Sequence, residues 1–421
     1  MSRPEILFVH EPRAVGPEDL AGEYLHVVVF GPGHGEAVLV RMPDGEVGVV
    51  DGCVDPQPDS STRDPVSELV EALHVERLLF ACLTHPHEDH YLGFAKLISQ
   101  RRPKHLWWSG AREAKFLGYY QEYLKIRGRT GVDTGEEATG DRLEKLVNAI
   151  HKLRDNPSTV QPTRTMPLED WKVLLRHPAP CGEVRIESIL PSNHGVRAAE
   201  EDAGRVLHAM REKKGTVKGI QRAFNPNRIS GALLLSWGET RVLLGGDAIC
   251  EEGTHAGWDG LPHSLDKIHM IKVPHHASRG AYSETLWKRM LPDLAVVTCV
   301  KNATDPQPPR PDMLTALLQT PSDLALTARP HWWEPYAAHN LCAEPEMAPK
   351  APEAKRSGDL ALPPTAKFAP ASDRRENAVV VRLDSHGHIV RVQLHGAARR
   401  LRLRASPAVT SGVVPPDPAS A

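Results

Sequence analysis

Within residues 85–90 the chain places His85, His87, Asp89 and His90, three imidazoles and a carboxylate in six positions. They stand directly after Arg77–Leu83, an apolar run that reads as a buried strand. In a loop leaving a strand, alternate residues can turn inward together. His85 and His87 can then bind one ion while Asp89 and His90 reach a second one close by. Imidazole with carboxylate suits zinc, with manganese or iron as alternatives. The chain has 22 histidines, so some clustering is expected by chance, but this spacing at a strand end is much rarer.

Such a loop needs a scaffold, and the apolar periodicity supplies one. Residues 1–23 read as an irregular lead-in, followed by strands at Leu25–Phe30, Ala37–Arg41 and Val47–Val50 with Gly/Pro-rich turns between them. Asp64-Pro65 opens a helix, with Asp as N-cap and Pro at the first helical position. Residues 91–99 look helical and Lys104–Trp108 looks like a strand. A helical insertion, about 110–155, carries a capping box at Asp141 and Glu144. Strands resume at Val184–Leu190, Gly231–Trp237, Arg241–Leu244, Ile268–Val273, Leu294–Val300 and Leu324–Thr327, with helices at about 283–290 and 311–319. The alternation predicts a layered α/β (α+β) architecture. The expected organisation is a main domain over 1–342, a Pro/Ala-rich linker or long loop over 343–376, a β-hairpin over 377–404 packed on the main domain, and a disordered tail over 405–421.

The chain has 421 residues, 51 Lys+Arg against 53 Asp+Glu, 40% hydrophobic residues and 25% charged residues. That balance excludes a globally basic nucleic-acid coat and a coiled coil. No apolar run approaches the roughly 18 residues of a membrane span. Met1–Arg13 lacks the apolar core of a secretory signal. The six cysteines are scattered without a CxxC pair, so no disulfide framework is expected and the cytoplasm is the expected compartment.

Thr84-His85-Pro86-His87-Glu88-Asp89-His90 resembles the signature of the metallo-β-lactamase fold hydrolases. Phe30-Gly31-Pro32-Gly33-His34-Gly35-Glu36-Ala37 with Val50-Asp51-Gly52 is similar to the opening of their ComEC-type branch. Asn227-Arg228-Ile229-Ser230, Leu244-Gly245-Gly246-Asp247 and Val273-Pro274-His275-His276-Ala277-Ser278 resemble its later motifs, in family order, over roughly residues 25–330. The resemblance implies an αββα sandwich and a hydrolase using a hydroxide held between two divalent ions, zinc foremost. It implies that Asp51 orients the histidine loop without binding metal, and that His85 and His87 hold the first ion. Asp89 and His90 would hold the second, and Asp247 would bridge both. One of His275 and His276 would complete the second site and the other would support it or touch substrate. Asn227 stands where many relatives carry a histidine, which leaves the first ion short of imidazole, with His194 as a candidate replacement. Ala277 stands where the branch has glycine. Asp89, Asp247, His194 and Ser278 are the candidate catalytic groups, and Arg279 is a candidate substrate contact.

Charge is segregated along the chain. Residues 101–129 carry eight Lys/Arg against two Glu, with Trp107, Trp108, Tyr119, Tyr120 and Tyr123 interleaved. Residues 204–228 carry seven Lys/Arg against one Glu, including Arg211, Lys213, Lys214 and Lys218. Basic side chains with aromatics suit phosphate contacts and base stacking, and equally a solvated helix face with its aromatics in the core. With the two-metal chemistry the resemblance implies, the expected substrate is a phosphodiester, in nucleic acid or a nucleotide. The alternatives are a small ester, lactone or amide, or a metal-bound regulatory module with little turnover.

Overall fold

A computed structural model of the chain describes residues 5–31, 35–56, 62–109, 118–120, 122–123, 134–155, 162–211, 225–251, 256–258, 261, 265–300, 308–320, 322–328, 330, 341–344 and 377–403. Most of the strands lie in two nine-stranded sheets. The first runs in spatial order Phe8–Glu11, Ile389–His395, Ala378–Leu383, Leu25–Phe30, Ala37–Arg41, Val47–Val50, Phe80–Leu83, His105–Trp108 and Arg164–Pro167. The second runs Lys172–Ala179, Gly182–Leu190, Ala232–Trp237, Thr240–Leu244, Met270–Lys272, Leu294–Val297, Asp323–Leu326, Arg399–Leu403 and Leu341–Glu344.

The period-2 alternation of each strand sorts its side chains into three cores. Val27, Val29, Val38 and Val40 of the first sheet meet Leu233, Leu235, Val242 and Leu244 of the second. The intervening Val28, Phe30, Leu39 and Val49 point outward, against Val66, Leu69, Phe94, Leu143, Leu146, Ala199 and Ala203 of the helices on that face. Leu234, Leu243, Ile271 and Ala295 point to the opposite side, where Trp287, Met290, Leu314 and Leu317 cover them. Strands apolar on both faces therefore demand four layers, two sheets between two sets of helices. The fold is mixed α/β, as the sequence pattern predicts.

Local signals behave as their chemistry requires. Asp64 caps the helix Pro65–Ala72, accepting from the Ser67 amide at 3.0 Å and the Ser67 hydroxyl at 2.6 Å. Three readings change. The lead-in contains a strand, Phe8–Glu11, parallel to Ile389–His395. The helix of the insertion spans Thr134–Asp155, so Asp141 and Glu144 lie inside it and not at a cap. Ala378–Leu383 hydrogen-bonds along Leu25–Phe30, so this hairpin continues the first sheet instead of resting on it, and Arg399–Leu403 then crosses to the second. The linker expected over 343–376 overlaps a strand at Leu341–Glu344; residues 345–376 and the tail lie outside the described residues. Among the described residues Cys82, Cys181 and Cys299 carry free thiols. No helix among them is long and apolar enough to cross a membrane.

Candidate metal centre

The site is built where strand ends of the two sheets meet. Phe80–Leu83 leads into Thr84–His90, Thr240–Leu244 into Gly245–Asp247, and Met270–Lys272 into the turn Pro274–Ala277. Two groups of side chains converge there with ligand-capable atoms within 4.8 Å of one another: His85, His87 and Asp247; and Glu36, His90, Asp247 and His276.

Hydrogen bonds fix which ring nitrogen faces inward. Asp51 Oδ1 accepts from the Thr84 amide at 2.7 Å, and its Oδ2 accepts from the Thr84 hydroxyl at 2.7 Å and from His90 Nδ1 at 2.8 Å. The Thr84 hydroxyl, its proton given to Asp51, accepts from His85 Nδ1 at 3.0 Å. A parallel relay lies opposite. His276 Nδ1 donates to the Thr298 hydroxyl at 2.7 Å, which donates to Glu36 Oε2 at 2.6 Å. In both relays a carboxylate and a threonine hold the Nδ1 proton. The Nε2 lone pairs of His90 and His276 are left for another partner, an arrangement that metal-binding histidines use, while His85 Nε2 faces His87 Nδ1 at 3.0 Å.

His90 Nε2 and His276 Nε2 are buried and make no hydrogen bond, and the same is true of Asp247 Oδ1. Burying such groups unpartnered is costly. They lie 3.3 Å (His90–Asp247) and 3.6 Å (His276–Asp247) apart. Asp89 Oδ2 joins from the rim, 3.4 Å from His276 Nε2 and 3.9 Å from His90 Nε2. In a tetrahedral zinc site with bonds of 2.0–2.1 Å, neighbouring ligand atoms stand about 3.4 Å apart. His90, His276 and Asp247 offer converging atoms that could hold a divalent ion, with Asp89 at the rim. Asp247 turns its other oxygen, Oδ2, toward His85 Nε2 at 3.8 Å, and His87 Nδ1 lies 3.0 Å from that nitrogen. One carboxylate thus faces both groups.

The electrostatics favour positive charge at this point. Burial disfavours the imidazolium of His90, but Asp247, Asp89 and Asp51 together raise its pKa well above the usual range. Burial also opposes ionisation of Asp247, yet His276 and His90 hold it well below the usual carboxylate range. Burial pushes His85 well below its usual range, as a neutral metal-binding imidazole requires.

The adjacent pair His275-His276 separates in space. His276 is buried in the second group, while His275 Nε2 meets the Asn227 side-chain amide at 3.0 Å and belongs to neither group. Both, with Ala277, adopt positive φ (47°, 52° and 57°), three left-handed residues in a row. The Cβ at Ala277 therefore sits in a conformation that favours glycine.

His194 is exposed in the first turn of the helix Asn193–Arg211 and belongs to neither group. Ser278 is half-buried and Arg279 exposed, directly after the histidine turn. Arg211 ends its helix, and Lys213, Lys214 and Lys218 lie outside the described residues. Trp107, Trp108, Tyr120 and Tyr123 are core residues; Trp107 stacks on Phe80 between the sheets, so base stacking does not fall to them. The sequence reading missed Glu36, Lys272, Thr84, Ser230 and Thr298. Glu36 immediately follows Gly35 in the turn motif, the one local signal that marks it.

Because Asp51 spends its oxygens on Thr84 and His90, Asp51→Asn is expected to weaken metal affinity or activity about 10- to 100-fold without abolishing either. Metal titration by competition with a chromogenic chelator checks this, and complete loss of metal would make Asp51 a ligand.

No protein-family model matches the chain, and no curated protein matches it. Among solved structures the chain is similar to the metallo-β-lactamase fold protein YhfI from Bacillus subtilis, at 10% identity over 71% of this chain and 96% of that one, with a TM-score of 0.35. It is also similar to a diphosphatase from the PhnP family, at 11% identity over 65% and 86%, TM-score 0.30. A third is a long-form RNase Z from yeast, at 8% identity over 71% and 40%, TM-score 0.34. Likeness at this level says nothing of substrate. The four-layer fold rests on the strands and cores themselves.

Proposed function

We propose that the chain is a metal-dependent hydrolase of phosphodiester bonds, with nucleic acid or a nucleotide as substrate. The observation that carries this reading is Asp247, which turns one oxygen to the His90/His276 group and the other to His85 and His87. Divalent ions bound there would supply a water acidic enough to attack at neutral pH and positive charge for the phosphoryl oxygens. The chain's own part is to hold the ligands. Asp51 and Thr84 orient His85 and His90, Thr298 orients His276, and the Ser230 hydroxyl accepts from the Asp247 amide at 2.8 Å. Ser278 and Arg279 are the proposed contacts for the leaving oxygen and the phosphate. His194, exposed and apart from both groups, receives no proton-transfer role.

The phosphodiester assignment rests on charge segregation. The basic run 204–228 leads into Asn227, which bonds His275. Arg228 pairs with Asp202 at 3.0 Å and is buried, so the proposed contacts are Arg211, Lys213, Lys214 and Lys218. Binding of an oligonucleotide should fall linearly with salt on a log–log plot. Neutralising these four residues should flatten that slope and raise KM for long substrates, while turnover of bis-p-nitrophenyl phosphate stays unchanged. Equal loss on both substrates would assign the four to the fold. No loss on either would turn the search to small esters and lactones.

A further inference from the structure

Behind the candidate metal centre lies a charge that nothing so far explains. Lys272 is 1% exposed and Glu36 2%. They form an ion pair through Lys272 Nζ and Glu36 Oε1. The lysine comes from the strand Met270–Lys272 of the second sheet, and Glu36 stands at the entry to Ala37–Arg41 of the first. Each also grips a loop that carries candidate ligands. Lys272 Nζ donates to the carbonyl of Gly246, next to Asp247, at 3.0 Å. The Glu36 amide donates to the carbonyl of Asp89 at 3.0 Å. Glu36 Oε2 receives the Thr298 proton and lies 3.2 Å from His276 Nδ1.

The side from which Glu36 approaches decides its role. It faces the Nδ1 atoms of His276 (3.2 Å) and His90 (3.9 Å), while Asp247 and Asp89 face their Nε2 atoms. Its oxygens are already engaged by Lys272, Thr298 and His276. A Glu36 oxygen lies within 4.8 Å of ligand-capable atoms of His90, Asp247 and His276, but no Glu36 oxygen is among the buried atoms left without a hydrogen-bond partner, as His90 Nε2, His276 Nε2 and Asp247 Oδ1 are.

We propose that Glu36 and Lys272 are positioning residues: a buried, charge-compensated strut in which Glu36 sets the His276 ring and neutralises Lys272, whose ammonium would otherwise repel a cation at the centre. Neither residue is a metal ligand. The inference rests on the metal-binding reading above, and metal content of the unaltered protein tests that reading separately.

The two charges predict opposite effects. Glu36→Gln keeps the shape but leaves the ammonium uncompensated behind the site. Lys272→Met leaves a carboxylate there, which a cation tolerates. Breaking a buried pair from either side lowers stability, whereas replacing both members by neutral groups is often tolerated. The experiment measures melting temperature, zinc per chain after dialysis against buffered zinc, and the visible spectrum of the cobalt-substituted protein, for both single variants and the double variant. The expected result is a lower melting temperature in both singles. Glu36→Gln should also lose about 10- to 100-fold in affinity for one equivalent and show an altered cobalt spectrum. Lys272→Met should keep both equivalents, and the double variant should regain most of the metal that Glu36→Gln loses. Equal metal loss in both singles would reduce the pair to a structural contact and overturn the proposal. A double variant as metal-poor as Glu36→Gln would make Glu36 a ligand and overturn it as well. If the unaltered protein binds no divalent ion, the metal-binding reading itself fails, and the strut falls with it.

Discussion

Asp247→Ala is expected to lose at least one equivalent of metal and to bring turnover of bis-p-nitrophenyl phosphate to background. Asp247 is 2% exposed, and its two oxygens face different histidine groups, so one substitution damages both. Removing it also strips His90 of the strongest of the three carboxylates that favour positive charge at the centre. His85, His90 and His276 would then crowd together with less negative charge to offset an ion, and like-charge repulsion works against binding. Elemental analysis of dialysed protein and a steady-state assay check the result together. A variant with full metal and full turnover would remove Asp247 from the site.

Gly35→Ala is the second large effect. Gly35 has φ +112°, a region that L-residues rarely enter, and an added Cβ would lie 2.2 Å from the Asp89 carbonyl oxygen. That carbonyl also accepts the Glu36 amide, so the clash cannot be relieved without moving either the histidine loop or the strut. Strain plus displacement should lower stability by roughly 2–4 kcal/mol. Denaturation in urea with excess chelator isolates the effect on the chain from the effect of lost metal. In the absence of chelator the difference should widen, because the displaced Asp89 no longer completes the centre. A change under about 0.5 kcal/mol in chelator, within the range of a neutral surface substitution, would mean the turn adapts freely.

Local chemistry was legible in the sequence where it is self-contained. The spacing of His85, His87, Asp89 and His90 advertises itself, and the Asp64-Pro65 cap follows from two adjacent residues. The helix over residues 193–211 was not read from the sequence because its inward positions include the small Ala199 and Ala203 and its many charges keep its overall hydropathy low, although its apolar face is one-sided. Lys272 was invisible for a different reason. A lysine at a strand end normally reads as a solvent contact, and only the partner 236 positions earlier in sequence, Glu36, makes its burial tolerable. The same holds for His275 and His276. Adjacent residues of one type cannot be ranked by pattern, and it is three consecutive left-handed residues that send one ring to Asp247 and the other to Asn227.

The place of Ala378–Leu383 within the first sheet bears on how the chain is made. Gln393 bonds Asp19 across 374 residues of sequence, and the Gly396 carbonyl meets His10 across 386. At 5–20 residues per second, synthesis of that span takes roughly 20–75 s. Through that interval Leu25–Phe30, a run of Val27, Val28 and Val29, keeps one edge of its backbone open while the chain lengthens. An apolar strand with an open edge is a template for pairing with other chains. The nascent protein therefore carries its greatest aggregation risk before the last strands emerge, and its yield in a cell depends on whatever shields that valine edge until residues 378–383 arrive to close it.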